Sequence, residues 1–109
     1  MKRGEVWTMA GGPGYAGKPR PVVIIQDDAF DARDSVTVCL ITSDSTDLPV
    51  FRVPVEPTAA NGLRITSRLM VDKVTTVPRN RLSQCVGRLA DDDILRLNRS
   101  LLVFMGLAR

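Results

Sequence analysis

The spacing of apolar residues changes once along this sequence, and that change constrains the fold more than any other feature. Up to Ala90, β-branched and apolar residues come in short runs separated by glycine, proline and polar residues, which is typical of strands. After Ala90, apolar residues recur at Ile94, Leu97, Leu101 and Met105, which is helical spacing. The sequence therefore predicts a set of strands followed by one helix.

The first part of the chain contains seven segments that we predict as strands. They are residues 6–9, 21–25, 35–42, 51–55, 67–71, 74–77 and 84–89. Pro54 cannot donate to a strand ladder, so the segment 51–55 is predicted at a sheet edge. We expect the strands to be antiparallel and to close into a small barrel.

The predicted helix begins at three consecutive acids, Asp91, Asp92 and Asp93, which we expect to cap the first amides and to complement the helix dipole. Gly106 is expected to end it. Its apolar surface is unusually wide, so we expect one part to cover the barrel and the remainder to form an interface. The fold class is thus mainly β, with a C-terminal helix packed on a barrel in one domain over residues 1–109.

Composition restricts the chemistry, because the 109 residues include no histidine. This absence excludes Ser/His/Asp and Cys/His nucleophiles, histidine-containing zinc sites and histidine acid–base catalysis. The net charge is +3, and residues 63–89 hold six Arg or Lys against the single acid Asp72. This basic segment is either a solvated rim of the barrel or a surface that binds phosphates.

Two cysteines, Cys39 and Cys85, stand among strand-like apolar residues without a CxxC spacing, so we expect buried free thiols in a reducing compartment. The longest apolar run of the predicted helix, residues 101–105, is far too short to span a membrane, and the N-terminus lacks the apolar core of an export signal. We therefore expect a cytoplasmic protein without membrane association.

Two side chains stand at predicted strand ends and suit phosphate chemistry. Arg20 is held between Pro19 and Pro21 where a buried strand begins, and its guanidinium offers a rigid set of donors to phosphate oxygens. An ion pair with a rim carboxylate, from Asp27 or Asp72, is the alternative role for Arg20. The hydroxyl of Thr42, at the end of the third segment, either binds a ligand or caps a turn.

The residues also occur in a recognisable order. Arg3-Gly-Glu-Val-Trp7 opens the chain, Arg20-Pro-Val-Val-Ile24 follows a glycine-rich loop, Ile41-Thr-Ser43 closes a strand, and Leu69–Thr76 leads to the final helix. In this order and spacing the chain resembles the MazF/PemK family of toxin endoribonucleases over nearly its whole length. The resemblance implies an SH3-like barrel that forms a homodimer, cleaves single-stranded messenger RNA without a metal or cofactor, leaves a 2′,3′-cyclic phosphate and a 5′-hydroxyl, and is inhibited by a cognate antitoxin.

The resemblance also implies site residues. Arg20 matches the arginine of the family's Arg-Pro motif and Thr42 the threonine of its Ile-Thr motif, which makes both candidates for catalysis. Arginine is a poor base because its pKa lies above about 12, so the acceptor of the RNA 2′-proton stays open among three carboxylates. These are Glu5, Asp27 and Asp72.

RNA contacts are expected from Tyr15, Lys18 and Lys73. Tyr15 is the only tyrosine and lies in the glycine-rich loop, where an aromatic ring close to cations suits stacking on an unpaired base. Lys73 stands in the stretch Asp72-Lys-Val-Thr75, where many relatives carry an acid and a glutamine followed closely by an arginine. This departure bears on the RNA sequence that the chain prefers.

Two other function classes stay open from the sequence. CcdB-type toxins share the barrel and poison gyrase through a Trp-Gly-Ile carboxyl end, whereas this chain ends Met-Gly-Leu-Ala-Arg109. A catalytically inactive barrel that binds RNA or an antitoxin is the third class.

Overall fold

The structure is a computed structural model that describes residues 1–11, 18–45 and 51–108. Its elements follow in this order: strand β1 (Glu5–Met9), strand β2 (Arg20–Ile24), a 3₁₀ turn (Asp28–Phe30), strand β3 (Ser35–Thr42), strand β4 (Arg52–Val55), strand β5 (Ser67–Pro78), a second 3₁₀ turn (Arg79–Arg81), strand β6 (Leu82–Arg88) and helix α1 (Asp91–Phe104). Tyr15 lies outside the described residues.

All strands belong to one antiparallel sheet in the order β4-β5-β3-β2-β1-β6. The mainly β fold with a C-terminal helix is therefore confirmed. The predicted closure into a barrel is not, because within the described parts of the chain β4 and β6 are the two edges and do not pair. Pro54 has no amide proton to donate and stands in β4, which fits the edge position predicted for this strand.

Strand β5 is a single strand of 12 residues, so the prediction of two separate strands here was wrong. Cys39 of β3 pairs with Val74, whereas its neighbour Leu40 pairs with Met70, so the residues between Met70 and Val74 form a bulge. The bulge contains Asp72 and Lys73, the polar residues that interrupt the apolar pattern. Strand β5 continues through these polar residues, so the interruption of the pattern does not end it.

Alternation along the strands divides the core between the two faces of the sheet. The first core cluster is covered by α1, whose Leu97 is fully buried. It contains Val6, Val23, Cys39, Ile41, Val53, Val55, Leu69, Val71, Leu89 and Leu97. The second cluster contains Met9, Val22, Ile24, Val36, Val38, Val77 and Leu82. By alternation, Arg20 and Thr42 belong to the face of the second cluster.

Helix α1 begins after Ala90, which provides no side-chain cap, so the prediction that the acids cap the first amides was wrong. The three acids instead occupy the first turn, where they complement the helix dipole, and Asp93 forms an ion pair with Arg96. Gly106 adopts a φ of +76°, which ends the helix as predicted. Large apolar side chains in its last turn and just after it are 43% to 75% exposed: Leu102, Val103, Phe104, Met105 and Leu107.

The two cysteines differ in exposure. Cys39 is buried, and burial raises the pKa of its thiol to about 12, whereas Cys85 is exposed on β6. Both are free, as expected, but the prediction that both are buried was wrong for Cys85 because β6 is an edge strand. No helix in the described residues is long and apolar enough to cross a membrane.

Candidate active site

The beginning of β2 and the end of β3 lie side by side and bring Arg20 and Thr42 together. The β2–β3 ladder ends at the pair Val22 and Leu40, and Arg20 and Thr42 each stand two residues beyond it. Both side chains line a cavity of about 60 Å³, together with Met9, Pro21, Leu40, Ile41 and Met70. The two residues that the sequence proposed for catalysis therefore share one site, with an exposed guanidinium beside a half-buried hydroxyl.

The hydroxyl of Thr42 is oriented by the loop that follows it. The backbone N–H of Asp44 donates a hydrogen bond of 3.1 Å to Thr42 Oγ1. This bond is the turn-capping role that the sequence offered as the alternative for Thr42. It occupies one acceptor position of the oxygen and leaves the hydroxyl proton to be donated to a ligand, so the two roles are compatible.

A larger groove opens next to the small cavity. It has a volume of about 800 Å³, which is within the range of ligand sites, whereas 60 Å³ is far below that range. The two spaces share Arg20, Pro21 and Ile41. Lys18 and Arg64 also line the groove, so three cations face it. This arrangement suits a long anion that lies along the groove and places one charged group in the small cavity.

One wall of the groove is a loop that is fixed by the buried Asn61. The amide oxygen of Asn61 accepts from the backbone N–H groups of Thr58 and Leu63, and its amide nitrogen donates to the Glu56 carbonyl. Gly62 follows at a φ of +71°, and a Cβ there would lie 2.2 Å from the Val86 carbonyl oxygen. The close approach to β6 requires a glycine, and it holds the loop against the sheet.

The loop presents residues that the sequence analysis did not propose as contacts. Arg64 and Ile65 line the groove, and Ile65 is exposed although it is apolar. The only sequence signal for Arg64 was its place in the basic segment 63–89. Nothing in the sequence showed that the loop reaches the side of the sheet where Arg20 begins β2.

Asp72, proposed as a proton acceptor, is held by Arg52 of the edge strand. Arg52 Nε and Nη2 donate to the two carboxylate oxygens at 2.9 and 3.1 Å. These hydrogen bonds hold the pKa of the Asp72 carboxyl below its usual value. Asp72 does not line the small cavity or the groove, and its pairing with Arg52 makes it a weak base.

The other two proposed acceptors lie at the opposite end of the sheet from Arg20. Glu5 begins β1, whose last residue Met9 pairs with Arg20, and its carboxylate accepts from Trp7 Nε1 at 3.1 Å. Asp27 follows the far end of β2 and caps the first 3₁₀ turn through the amide of Ala29. Neither residue lines the Arg20–Thr42 cavity.

Two of the three expected RNA contacts belong to the described residues. Lys18 lines the groove, whereas Lys73 is exposed on the β5 bulge and lines neither the groove nor the small cavity. The third, Tyr15, belongs to the undescribed segment 12–17. Within the described residues, no three His, Cys, Asp or Glu side chains converge as metal ligands would.

Known proteins resemble this chain in sequence and in fold. The sequence profile of the PemK-like, MazF-like toxins of type II toxin–antitoxin systems matches residues 2–105. This chain belongs to that family. A probable endoribonuclease MazF from Mycolicibacterium smegmatis is 56% identical over 108 residues, which cover 99% of each chain. The family assignment and this relative identify the chain as an endoribonuclease toxin, as the resemblance implied.

Solved structures support the fold. An endoribonuclease from a mycobacterial species, solved in complex with its cognate antitoxin, superposes with a TM-score of 0.82 at 20% identity and covers 100% of this chain and 98% of its own. The Mycobacterium tuberculosis toxin MazF-mt6 gives a TM-score of 0.80 at 25% identity, covering 96% of this chain and 99% of its own. The open six-stranded sheet with a C-terminal helix is therefore the toxin fold.

Proposed function

We propose that this toxin cleaves single-stranded RNA, with messenger RNA as its target, at a phosphodiester held by Arg20 and Thr42. The observation that carries the proposal is that these two residues line one small cavity that adjoins a cationic groove. The small cavity is of a size for one phosphate group, and the groove is of a size for the flanking nucleotides. Cleavage of messenger RNA places the activity in the cytoplasm, where translation occurs.

In the proposed reaction RNA supplies its own nucleophile. The 2′-oxygen attacks the adjacent phosphorus, the bond from phosphorus to the 5′-oxygen breaks, the 2′-proton passes to a base and the 5′-oxygen receives a proton. The products are a 2′,3′-cyclic phosphate and a 5′-hydroxyl, so the protein needs no covalent nucleophile. Its task is to stabilise the dianionic phosphorane and to assist the two proton transfers.

Arg20 and Thr42 both contribute to stabilising the phosphorane. The Arg20 guanidinium donates to a nonbridging oxygen and neutralises charge that develops in the transition state. The Thr42 hydroxyl donates to a second nonbridging oxygen, since the Asp44 N–H already fills one of its acceptor positions. For the 2′-proton, geometry disfavours Glu5, Asp27 and Asp72, because each is held by other partners away from the cavity.

We also propose a homodimer and a cognate antitoxin as partners. The antitoxin complex of the mycobacterial relative supports the second proposal. An antitoxin segment that occupies the cationic groove would compete directly with RNA. The exposed apolar side chains at the end of α1 resemble an interface more than a monomer's surface, which supports self-association.

The proposed reaction is tested by incubating the purified protein with a long mixed-sequence RNA in EDTA and mapping both ends of each fragment. We expect cleavage with 2′,3′-cyclic phosphate and 5′-hydroxyl ends. Fragments with 5′-phosphates would contradict the mechanism. Intact RNA together with gyrase inhibition would favour the CcdB-type activity instead, and intact RNA without it would favour an inactive binding protein.

A further inference from the structure

A second arginine, Arg68, lies on the other side of Thr42 from Arg20. Strand β5 is the neighbour of β3 opposite β2, and Thr42 pairs directly with Arg68. Directly opposed residues of antiparallel strands have Cα atoms about 4.5 to 5.5 Å apart and side chains on the same face. Arg20, Thr42 and Arg68 therefore lie at the same end of three adjacent strands.

Arg68 and the small cavity share a face of the sheet. Two residues further along β5, Met70 projects to the same face as Arg68 and lines the cavity with Arg20 and Thr42. The residues on either side of Arg68, Ser67 and Leu69, are buried on the opposite face, so the alternation of β5 is regular here. Arg68 is not itself among the residues that line the cavity, but it stands beside Thr42 at the same end of it.

The guanidinium of Arg68 has no protein partner within the described residues. Its Nε is buried without a hydrogen bond, and no carboxylate lies within ion-pair distance. Two acids of the adjoining segments are engaged elsewhere: Asp72 by Arg52, and Glu56 by the hydroxyl of Thr66 at 2.8 Å. A buried donor without a partner is rare in a folded protein, and an arginine in this state favours an anion as its ligand.

We propose that Arg68 is a second arginine ligand of the RNA phosphate bound at Thr42. This proposal rests on the proposed function and adds a residue to it. Arg20 and Arg68 contact the phosphate from the two sides of the Thr42 hydroxyl, so that the charge of the dianionic phosphorane is shared between two guanidinium groups. Four other arginines differ from Arg68 because each forms an ion pair with an aspartate: Arg52, Arg79, Arg88 and Arg96.

The first test is a binding experiment that does not depend on cleavage. The probe is a random-sequence single strand of about 20 nucleotides with 2′-deoxyribose throughout, which lacks the nucleophile. Its Kd is measured over a range of KCl concentrations for the wild type, Arg68→Gln and Arg33→Gln. Arg33 is exposed in the loop before β3, at the far end of the sheet, and provides a matched loss of charge.

We expect Arg68→Gln to reduce the slope of log Kd against log salt by about 0.7, the value for one phosphate contact on a single strand, and Arg33→Gln to leave it unchanged. Arg68→Lys should retain the slope because it keeps the charge. Equal slopes for the wild type and Arg68→Gln, with unchanged melting temperatures, would overturn the proposal. A melting temperature lowered by Arg68→Gln without a change in slope would assign Arg68 a structural role and also overturn it.

The second test measures cleavage of RNA by the same variants. We expect Arg68→Gln to lower the rate by about 10²-fold, the usual loss for one charge-stabilising donor, while Arg33→Gln cleaves at the wild-type rate. Cleavage by Arg68→Gln within about threefold of the wild type would contradict the inference. If the wild type cleaves no RNA, the proposed function fails, while the binding slopes still decide whether Arg68 contacts a phosphate.

Discussion

Arg20 and Thr42 line one small cavity at the end of the β2–β3 ladder, Arg20 as the first residue of its strand and Thr42 as the last of its own. The two residues are 22 positions apart in the sequence, and antiparallel pairing brings them to one end of the sheet. Because residues 22–24 of β2 and Ile41 of β3 are buried, the core fixes the strand ends that carry the pair. A charged donor and a neutral donor are thus preorganised for one anion.

Thr42→Val tests the role of the hydroxyl while keeping the shape of the side chain. We expect a loss of about 10- to 10²-fold in the rate of RNA cleavage, because one donor to the phosphate disappears. Thr42→Ser should restore most of it. Thr37→Val removes another hydroxyl of β3, which hydrogen-bonds Thr76 at 2.7 Å far from the cavity, and serves as the control. Equal rates for Thr42→Val and Thr37→Val would show that the hydroxyl takes no part in the reaction.

Lys18→Gln and Lys73→Gln distinguish the groove from the β5 bulge. Lys18 lines the groove and Lys73 does not, so we expect Lys18→Gln to raise KM for a short RNA several-fold and Lys73→Gln to change it much less. The measurement is initial-rate kinetics at low salt, where contacts with phosphates contribute most. A larger effect at Lys73 would mean that RNA follows the bulge instead of the groove.

Asp72→Asn removes the partner of the half-buried Arg52 and should reduce the free energy of unfolding by about 1 to 3 kcal/mol at pH 7. Arg52 lowers the pKa of Asp72 in the folded state. The carboxylate therefore stabilises the fold above its unfolded pKa of about 3.9, and this contribution is lost as the pH falls through the lower folded value.

Urea unfolding at pH 7 and near pH 2.5 checks this prediction. The difference between the wild type and Asp72→Asn should be smaller at the acid pH. Asp34→Asn, at an exposed carboxylate, is the control and should change stability little at either pH. A difference that grows on acidification would mean that Asp72 is not stabilised as a carboxylate.

Gly62→Ala tests the loop that forms one wall of the groove. A Cβ at this position would lie 2.2 Å from the Val86 carbonyl oxygen, in addition to the strain of a φ of +71°. Gly106→Ala provides a matched control, since its φ is +76° but no atom lies within 4 Å of the added carbon. We expect a cost of about 1 to 2 kcal/mol for Gly106→Ala and a distinctly larger one for Gly62→Ala, measured by thermal unfolding. Equal losses would indicate that the loop moves away from β6 without penalty.

The strands and the helix could be predicted because their signals are local. Ser35–Thr42 was predicted with its observed bounds, since its first half is rich in β-branched residues, and α1 follows the helical spacing after Ala90. The bulge at Asp72 and Lys73 could not be predicted, because it depends on pairing with Cys39 and Leu40 of a distant strand. Whether the sheet closes into a barrel also depends on pairing between strands that are distant in the sequence, so the open sheet could not be predicted either.

The candidate site was predictable in part for the same reason. Arg20 and Thr42 stand at strand ends within short motifs, so both could be proposed from the sequence. Arg64 and Arg68 lie in a basic segment where the sequence does not distinguish a solvated cation from a ligand of phosphate. Only the register of β5 against Thr42 and the fixed loop at Asn61 separate these arginines from their neighbours.

The rate of cleavage by Arg20→Ala tests the central claim most directly. The wild type, Arg20→Ala and the control Arg33→Ala are compared under single-turnover conditions on one RNA with a mapped cleavage site, with folding checked by thermal unfolding. We expect Arg20→Ala to lose at least about 10²-fold in rate with an unchanged melting temperature, and Arg33→Ala to match the wild type. A folded Arg20→Ala variant that cleaves within about threefold of the wild-type rate would contradict the assignment of the Arg20–Thr42 cavity as the active site.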